Sequence, residues 1–308
     1  MEIRARLKIP KQKFYNIGYL LALASAALSA LMHVIPKQML DNGINDVNPV
    51  TLALVIYIIN GLFFTSISKK TTPISDITKK NWLLLGLIGI AEVLGLITYF
   101  FGLKNSTASN AAVLNSSEII FSIFIAMIVL RESLKKKELG PFTLIILGVV
   151  IIPIGYDMYN TSFMFSNMVT GDFLILLSGV FFAVDINISK YVSDRIDSKR
   201  ITQITSFVSG LVALGIILIF NIPFDITFNH IPGILLSGLL GTGIATFFFV
   251  LSLKFIGSVR TTLLYSTGTA FGVIFSWIIL GESISFVSIF TIIMIFAGIF
   301  LLRKRISI

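Results

Sequence analysis

Runs of about twenty apolar residues follow one another along most of this chain, separated by short connections that hold the basic residues. A helix rises about 1.5 Å per residue, so each run is long enough to cross ~30 Å of hydrocarbon. Ten runs can be read, over residues 17–36, 49–67, 82–102, 108–130, 141–157, 170–190, 201–220, 231–251, 260–280 and 285–302. With 56% hydrophobic and 13% charged residues, the chain is far from the composition of a soluble domain. The fold expected is an all-α polytopic membrane protein of ten transmembrane helices.

The basic residues also orient the helices. With the amino terminus on the cytoplasmic side, alternate connections collect 22 of the 24 Lys and Arg on that side, leaving only Lys37 and Lys104 outside. A wrong span count would scramble this parity. The expectation is a cell-membrane protein with both termini cytoplasmic and the lipid bilayer as its surroundings. A net charge of +9 does not point to nucleic acid here, because the charges sit between spans and not on one solvated face. The absence of cysteine and the presence of only His33 and His230 argue against thiolate or multi-histidine metal centres, so no cofactor or metal is expected.

The two halves of the chain repeat. A shift of 150 residues superposes Leu103-Lys104 on Leu253-Lys254, Leu114 on Leu264, Ser116 on Ser266, Glu132-Ser133 on Glu282-Ser283 and Gly148 on Gly298. A shift of 153 brings Gly18, Ser25, Ala30 and Lys37 onto Gly171, Ser178, Ala183 and Lys190. Each half, 1–157 and 158–308, then contains five spans. Five is odd, so the second half enters the membrane from the opposite face, and the halves form an inverted repeat. Such a pair can rock between outward-open and inward-open states around a site at the midplane.

These features resemble the EamA-like branch of the drug/metabolite transporter superfamily. The resemblance is carried by ten spans in two halves, by the Arg131-Glu132-Ser133 and Gly281-Glu282-Ser283 turns that end the fourth and ninth spans, and by Gly148 and Gly298 in the spans that follow. Arg131 replaces the glycine usual in the first of those turns. The resemblance implies a secondary carrier of small metabolites, often exporting amino acids or related compounds, and it does not name one substrate.

Ionisable groups within a span should face a cavity or a partner, since a charge at the bilayer centre costs at least ~2.5 kcal/mol. Glu92 and Glu118 lie at mid-depth in one hairpin. Two such acids repel when both are charged, and a carboxyl that can take up a proton could couple its release to substrate movement. Ala111, Asn115, Glu118 and Ser122 fall on one helical face, and Tyr265, Thr269, Gly272 and Ser276 on the corresponding face of the ninth span. Glu92 shares a face with Gly95 and Tyr99. The candidate substrate or proton site is therefore Glu118, Glu92, Asn115, Tyr265, Tyr99, Ser122 and Thr269, with Asp185, Thr242 and Ser266 as gate or network. Close helix packing through Ser, Thr and Gly is the competing reading for the small residues. Asp185 is expected to meet Lys190, Arg260 or the polar cavity, and His33 to be a hydrogen-bonded group near the external interface.

Among other classes, an intramembrane protease lacks its motifs, since Tyr156-Asp157 and Gly171-Asp172 sit at span ends and no Gly-x-Ser-Gly with a midplane His exists. The chain is not expected to be an enzyme. A facilitative carrier or channel without proton coupling remains the alternative. The absence of Lys or Arg near the midplane favours neutral, zwitterionic or cationic substrates over phosphate-bearing ones. Monomer and homodimer are both open.

Overall fold

In the computed structural model, the residues described are 11–40, 46–67, 72–129, 139–148 without 142 and 145, 167–284 and 286–306. All regular structure among them is helical. In chain order the helices are α1 (Lys11–Ser29), α2 (Leu31–Leu40), α3 (Pro49–Ile67), α4 (Lys79–Lys104), α5 (Ala108–Leu114), α6 (Ser117–Val129), α7 (Asn167–Ser193) and α8 (Ser198–Phe220). They continue with α9 (Ile231–Ile234), a π-helical segment (Leu235–Ile244), α10 (Ala245–Ile256), α11 (Ser258–Tyr265), α12 (Gly268–Phe275), a second π-helical segment (Ser276–Leu280) and α13 (Phe286–Ile306).

Six stretches among the described residues are apolar and long enough to cross a membrane: Asn16–Leu40, Pro49–Ile67, Lys79–Lys104, Thr170–Ser193, Ser198–Phe220 and Phe228–Ile256. The protein is a multi-pass membrane protein. Two expected spans, 108–130 and 260–280, are not continuous helices. Each is split, the first at Asn115-Ser116 and the second at Ser266-Thr267. Most of the expected span 141–157 lies outside the described residues, as do Glu132 and the turn around it.

Helix ends are set by local chemistry. Thr78 and Thr107 accept hydrogen bonds from the backbone N–H groups of Asn81 and Asn110, capping α4 and α5. Gly257, at φ +82°, stops α10 and lets the chain turn straight into α11.

The helices pair so that each contact recurs with the halves exchanged. Helix α4 packs along α7, and α10 packs along α1. Helices α3 and α8 pack on each other, as do α5 and α12. Where α4 meets α7, Gly102 faces Gly171, and a Cβ on either would stand 2.7 Å from the other's carbonyl oxygen. The equivalent crossing joins Gly18 to α10, with the Ser252 hydroxyl donating to the Gly18 carbonyl at 2.9 Å. Small residues allow these backbones to approach, which is the main source of helix association where apolar burial gives no advantage over lipid. Lys37 donates to the Lys104 carbonyl at 3.1 Å and Lys104 pairs with Asp46 at 2.9 Å, so the two lysines that the parity count sets on one side meet at one end of the bundle.

Candidate functional site

A cavity of about 110 Å³ lies between the helices of the two halves. Its carboxyl groups come from three helices: Glu92 from α4, Glu118 from the first turn of α6, and Asp185 from α7. Tyr57, Tyr99, Phe182, Phe249 and Tyr265 contribute aromatic rings to the wall. No Lys or Arg is among the described residues that line it.

The break between α5 and α6 positions Glu118. The last turn of α5 closes with the Asn115 N–H on the Ala111 carbonyl (2.9 Å), and the Glu118 N–H is taken by the Asn115 carbonyl (3.2 Å). A new helix therefore begins beside Glu118, its first N–H groups taken by the carbonyls of the turn before it, the Ile119 N–H by Ser116 at 3.1 Å. Glu118 is 5% exposed, and its carboxyl makes no hydrogen bond to any described residue.

Glu92 is held differently. The Ser209 hydroxyl of α8 donates to the Gly89 carbonyl (2.9 Å) and reaches the Glu92 Oε2 at 3.5 Å, while the Tyr57 hydroxyl donates to the Glu92 carbonyl at 3.1 Å. The third acid, Asp185, accepts from the Ser189 hydroxyl one turn on, at 2.7 Å. Of the surroundings expected for it, Asp185 meets the polar cavity, while Lys190 pairs with Asp194 at 3.8 Å.

Of the sequence candidates, Glu118, Glu92, Asn115, Tyr265, Tyr99, Asp185 and Thr242 all line the cavity. Thr242 donates to the Met32 sulfur at 3.0 Å and sits in the π-helical segment, whose glycines pack against α1, α2 and α3. Ser266 and Thr269 line a small adjoining cleft of about 10 Å³ that opens beside Asn115 and Glu118. There the Thr269 and Ser116 hydroxyls meet at 2.7 Å. Ser122 is not in the cavity: its hydroxyl and carbonyl accept from the Asn187 amide at 3.0 and 3.3 Å. Ser122 lies one turn beyond Glu118 on α6, and there the neighbouring α7 covers it through Asn187.

Close packing is what the structure gives Gly272 and Ser276. A Cβ on Gly272 would meet the Ala112 methyl, and the Ser276 and Ser109 hydroxyls lie 2.6 Å apart. His33 is also placed differently from expectation. It is 5% exposed, lines the cavity, and its Nδ1 is hydrogen-bonded to the Tyr99 hydroxyl. The hydrogen bond was expected; the place in the cavity wall comes from Tyr99 of α4. Tyr57, Phe182 and Phe249 were not anticipated, because an aromatic residue in an apolar run carries no sign of which way it faces.

Residues 16–153 and 169–304 each match the EamA-like transporter family, covering both halves. A protein of Methanothermobacter thermautotrophicus, named an uncharacterized transporter, is 27% identical over 299 residues, covering 92% of this chain and 85% of its own length. An uncharacterized transporter of Clostridium kluyveri is 24% identical over 294 residues, covering 91% of each chain. A crystal structure described simply as that of a protein superposes with a TM-score of 0.69 at 13% identity, over 94% of this chain and 99% of the other, a likeness of fold alone. With both halves matched and whole-length relatives named as transporters, this chain belongs to the EamA-like transporter family.

Proposed function

We propose that this protein is a secondary active carrier that moves small metabolites, amino acids and related compounds among them, by alternating access, with Glu118 taking and releasing a proton. The observation that carries this reading is the pair of helix breaks, at Asn115-Ser116 and Ser266-Thr267, which fall at repeat-related positions and flank one cavity holding three carboxyls. Broken helices meeting at mid-depth leave backbone groups and half-helix ends free to face a substrate. Family matches to each half and contacts that recur with the halves exchanged support two states of similar energy, and the reading takes each half as an inverted repeat of five helices divided near residue 157. The topology proposed remains ten spans in the cell membrane with both termini cytoplasmic, and outward movement is what the family resemblance implies.

Glu118 is the preferred proton site because its carboxyl is buried, faces the cavity and has no hydrogen-bond partner among the described residues. Uncompensated burial of an ionised carboxyl is costly, and taking up a proton or a cation relieves that cost. Either event changes how the two halves are held around the cavity.

The test is reconstitution into liposomes with a trapped pH dye, challenged in turn with amino acids, purines, polyamines and nucleotide sugars. Substrate-driven proton movement that disappears in Glu118→Gln is the result expected. Labelled-substrate flux without proton movement would favour the second reading, a facilitative carrier. Silence of both readouts across the panel would overturn the carrier reading.

A further inference from the structure

Resting on the carrier reading above, we propose that the cargo is a small organic cation with a protonated amine, its ammonium held by Glu118 with Glu92 and Asp185 and its carbon skeleton against the aromatic wall.

Three carboxyls share the cavity and no Lys or Arg among the described residues lines it. His33 is the sole basic side chain in that lining, and its Nδ1 is engaged with the Tyr99 hydroxyl. The second observation is Glu118 itself, a 5% exposed residue that lines the cavity and whose carboxyl has no hydrogen-bond partner among the described residues. Buried native polar groups are nearly always bonded, so an unbonded acid facing a cavity marks a place for a donor from outside. An ammonium brings three donors and the opposite charge. The faces of Tyr57, Tyr99, Tyr265, Phe182 and Phe249 carry the negative side of the ring quadrupole and attract a cation as well.

The same geometry disfavours a zwitterion. A free amino acid needs a positive place for its carboxylate, and the two half-helix amino termini at the breaks are the natural ones. Glu118 already occupies the first turn of α6. At α12, the Thr269 hydroxyl is engaged with Ser116, and the cleft there measures about 10 Å³, hardly the ~10–15 Å³ that a single water needs. The main cavity, at about 110 Å³, is below the roughly 300–1,000 Å³ of drug-sized pockets. A short alkyl amine or diamine fits that size better than a bulky cation.

Purified full-length protein would be melted with and without butylammonium, putrescine, L-alanine, L-leucine, butyrate and butanol, and then reconstituted for uptake of labelled putrescine and labelled alanine. The expected result is saturable stabilisation by the two amines, no stabilisation by butyrate or butanol, and uptake of label from putrescine. Apparent affinity for the amines should fall at least tenfold in Glu118→Gln and less in Glu118→Asp, with each variant's ligand-free melt reporting whether it folds. If Glu118→Gln does not fold, Asp185→Asn provides the same comparison. Binding and uptake of alanine or leucine with none for the amines would overturn the cation proposal while leaving the carrier reading standing. Amine affinity unchanged in a folded Glu118→Gln would overturn it too. Silence for all six probes refutes the cation proposal, and the wider panel above then decides whether the carrier reading falls with it.

Discussion

The Glu282 carboxylate grips Ser109 from 173 residues further along the chain, accepting from its backbone N–H at 2.9 Å and from its hydroxyl at 2.8 Å, and it takes the Ala108 N–H at 2.8 Å as well. The residue that helps mark the Gly-Glu-Ser turn in the sequence is thus a cap on α5, a helix of the other half. Charged hydrogen bonds of this type contribute about 1.5–3 kcal/mol each when desolvated, less when partly exposed as here. Glu282→Ala is expected to lower the melting temperature by several degrees, with Glu282→Gln intermediate. An unchanged melt for the alanine variant would mean that the contact contributes nothing to joining the two halves at this end.

Ser109 and Ser276 offer a way to lock the same end. Their hydroxyls are 2.6 Å apart, and the native chain has no cysteine, so a double Ser109→Cys, Ser276→Cys variant has no competing thiols. Oxidation is expected to crosslink the pair and stop transport, and reduction to restore it. A crosslinked protein that still transports at the wild-type rate would show that this end need not open.

Gly171 and Gly86 should respond oppositely to alanine. A Cβ at Gly171 would stand 2.7 Å from the Gly102 carbonyl oxygen and 2.8 Å from the Asn105 carbonyl carbon, backbone atoms that cannot swing away. Overpacking of this kind costs about 1–3 kcal/mol. At Gly86 nothing lies within 4 Å of the added carbon, so alanine's better helix propensity is expected to raise stability by up to ~1 kcal/mol. Thermal melts of the two variants give the comparison, and a Gly171→Ala protein as stable as wild type would contradict the packing described.

Tyr99 and His33 form a buried polar pair inside the cavity wall, and removing one partner leaves the other unsatisfied. Tyr99→Phe is expected to cost about 1–3 kcal/mol. In a double-mutant cycle with His33→Leu, the second substitution should cost less in the Tyr99→Phe background than alone, because the orphaned imidazole is then absent. Additive losses would show that the two groups are energetically independent.

The acids of the cavity were legible in the sequence because a carboxyl in an apolar run is expensive and so needs a reason. Tyr99 followed from helical phase relative to Glu92, Asn115 from phase relative to Glu118, and Tyr265 from the repeat. Ser122 has the same phase as Glu118 on α6 and still lies outside the cavity, because Asn187 of α7 takes its hydroxyl, a contact its own segment does not announce. His33 was expected to be hydrogen-bonded, but that its partner is Tyr99 in the cavity wall depends on α4, 66 residues away.

What the sequence determined by itself is what depends on composition and order alone: that the chain lives in a membrane, where apolar runs alternate with basic connections, and that its two halves are related, since duplicated residues keep their spacing. The tertiary structure decided which polar groups share a cavity, where helices break, and which side chains are satisfied. These depend on contacts between residues far apart in the chain, such as Ser116 with Thr269 and Glu282 with Ser109. A residue's hydrogen-bond partner across a helix interface leaves no mark in its own segment, so only the folded arrangement could separate Glu118, which faces open space, from Ser122, which does not.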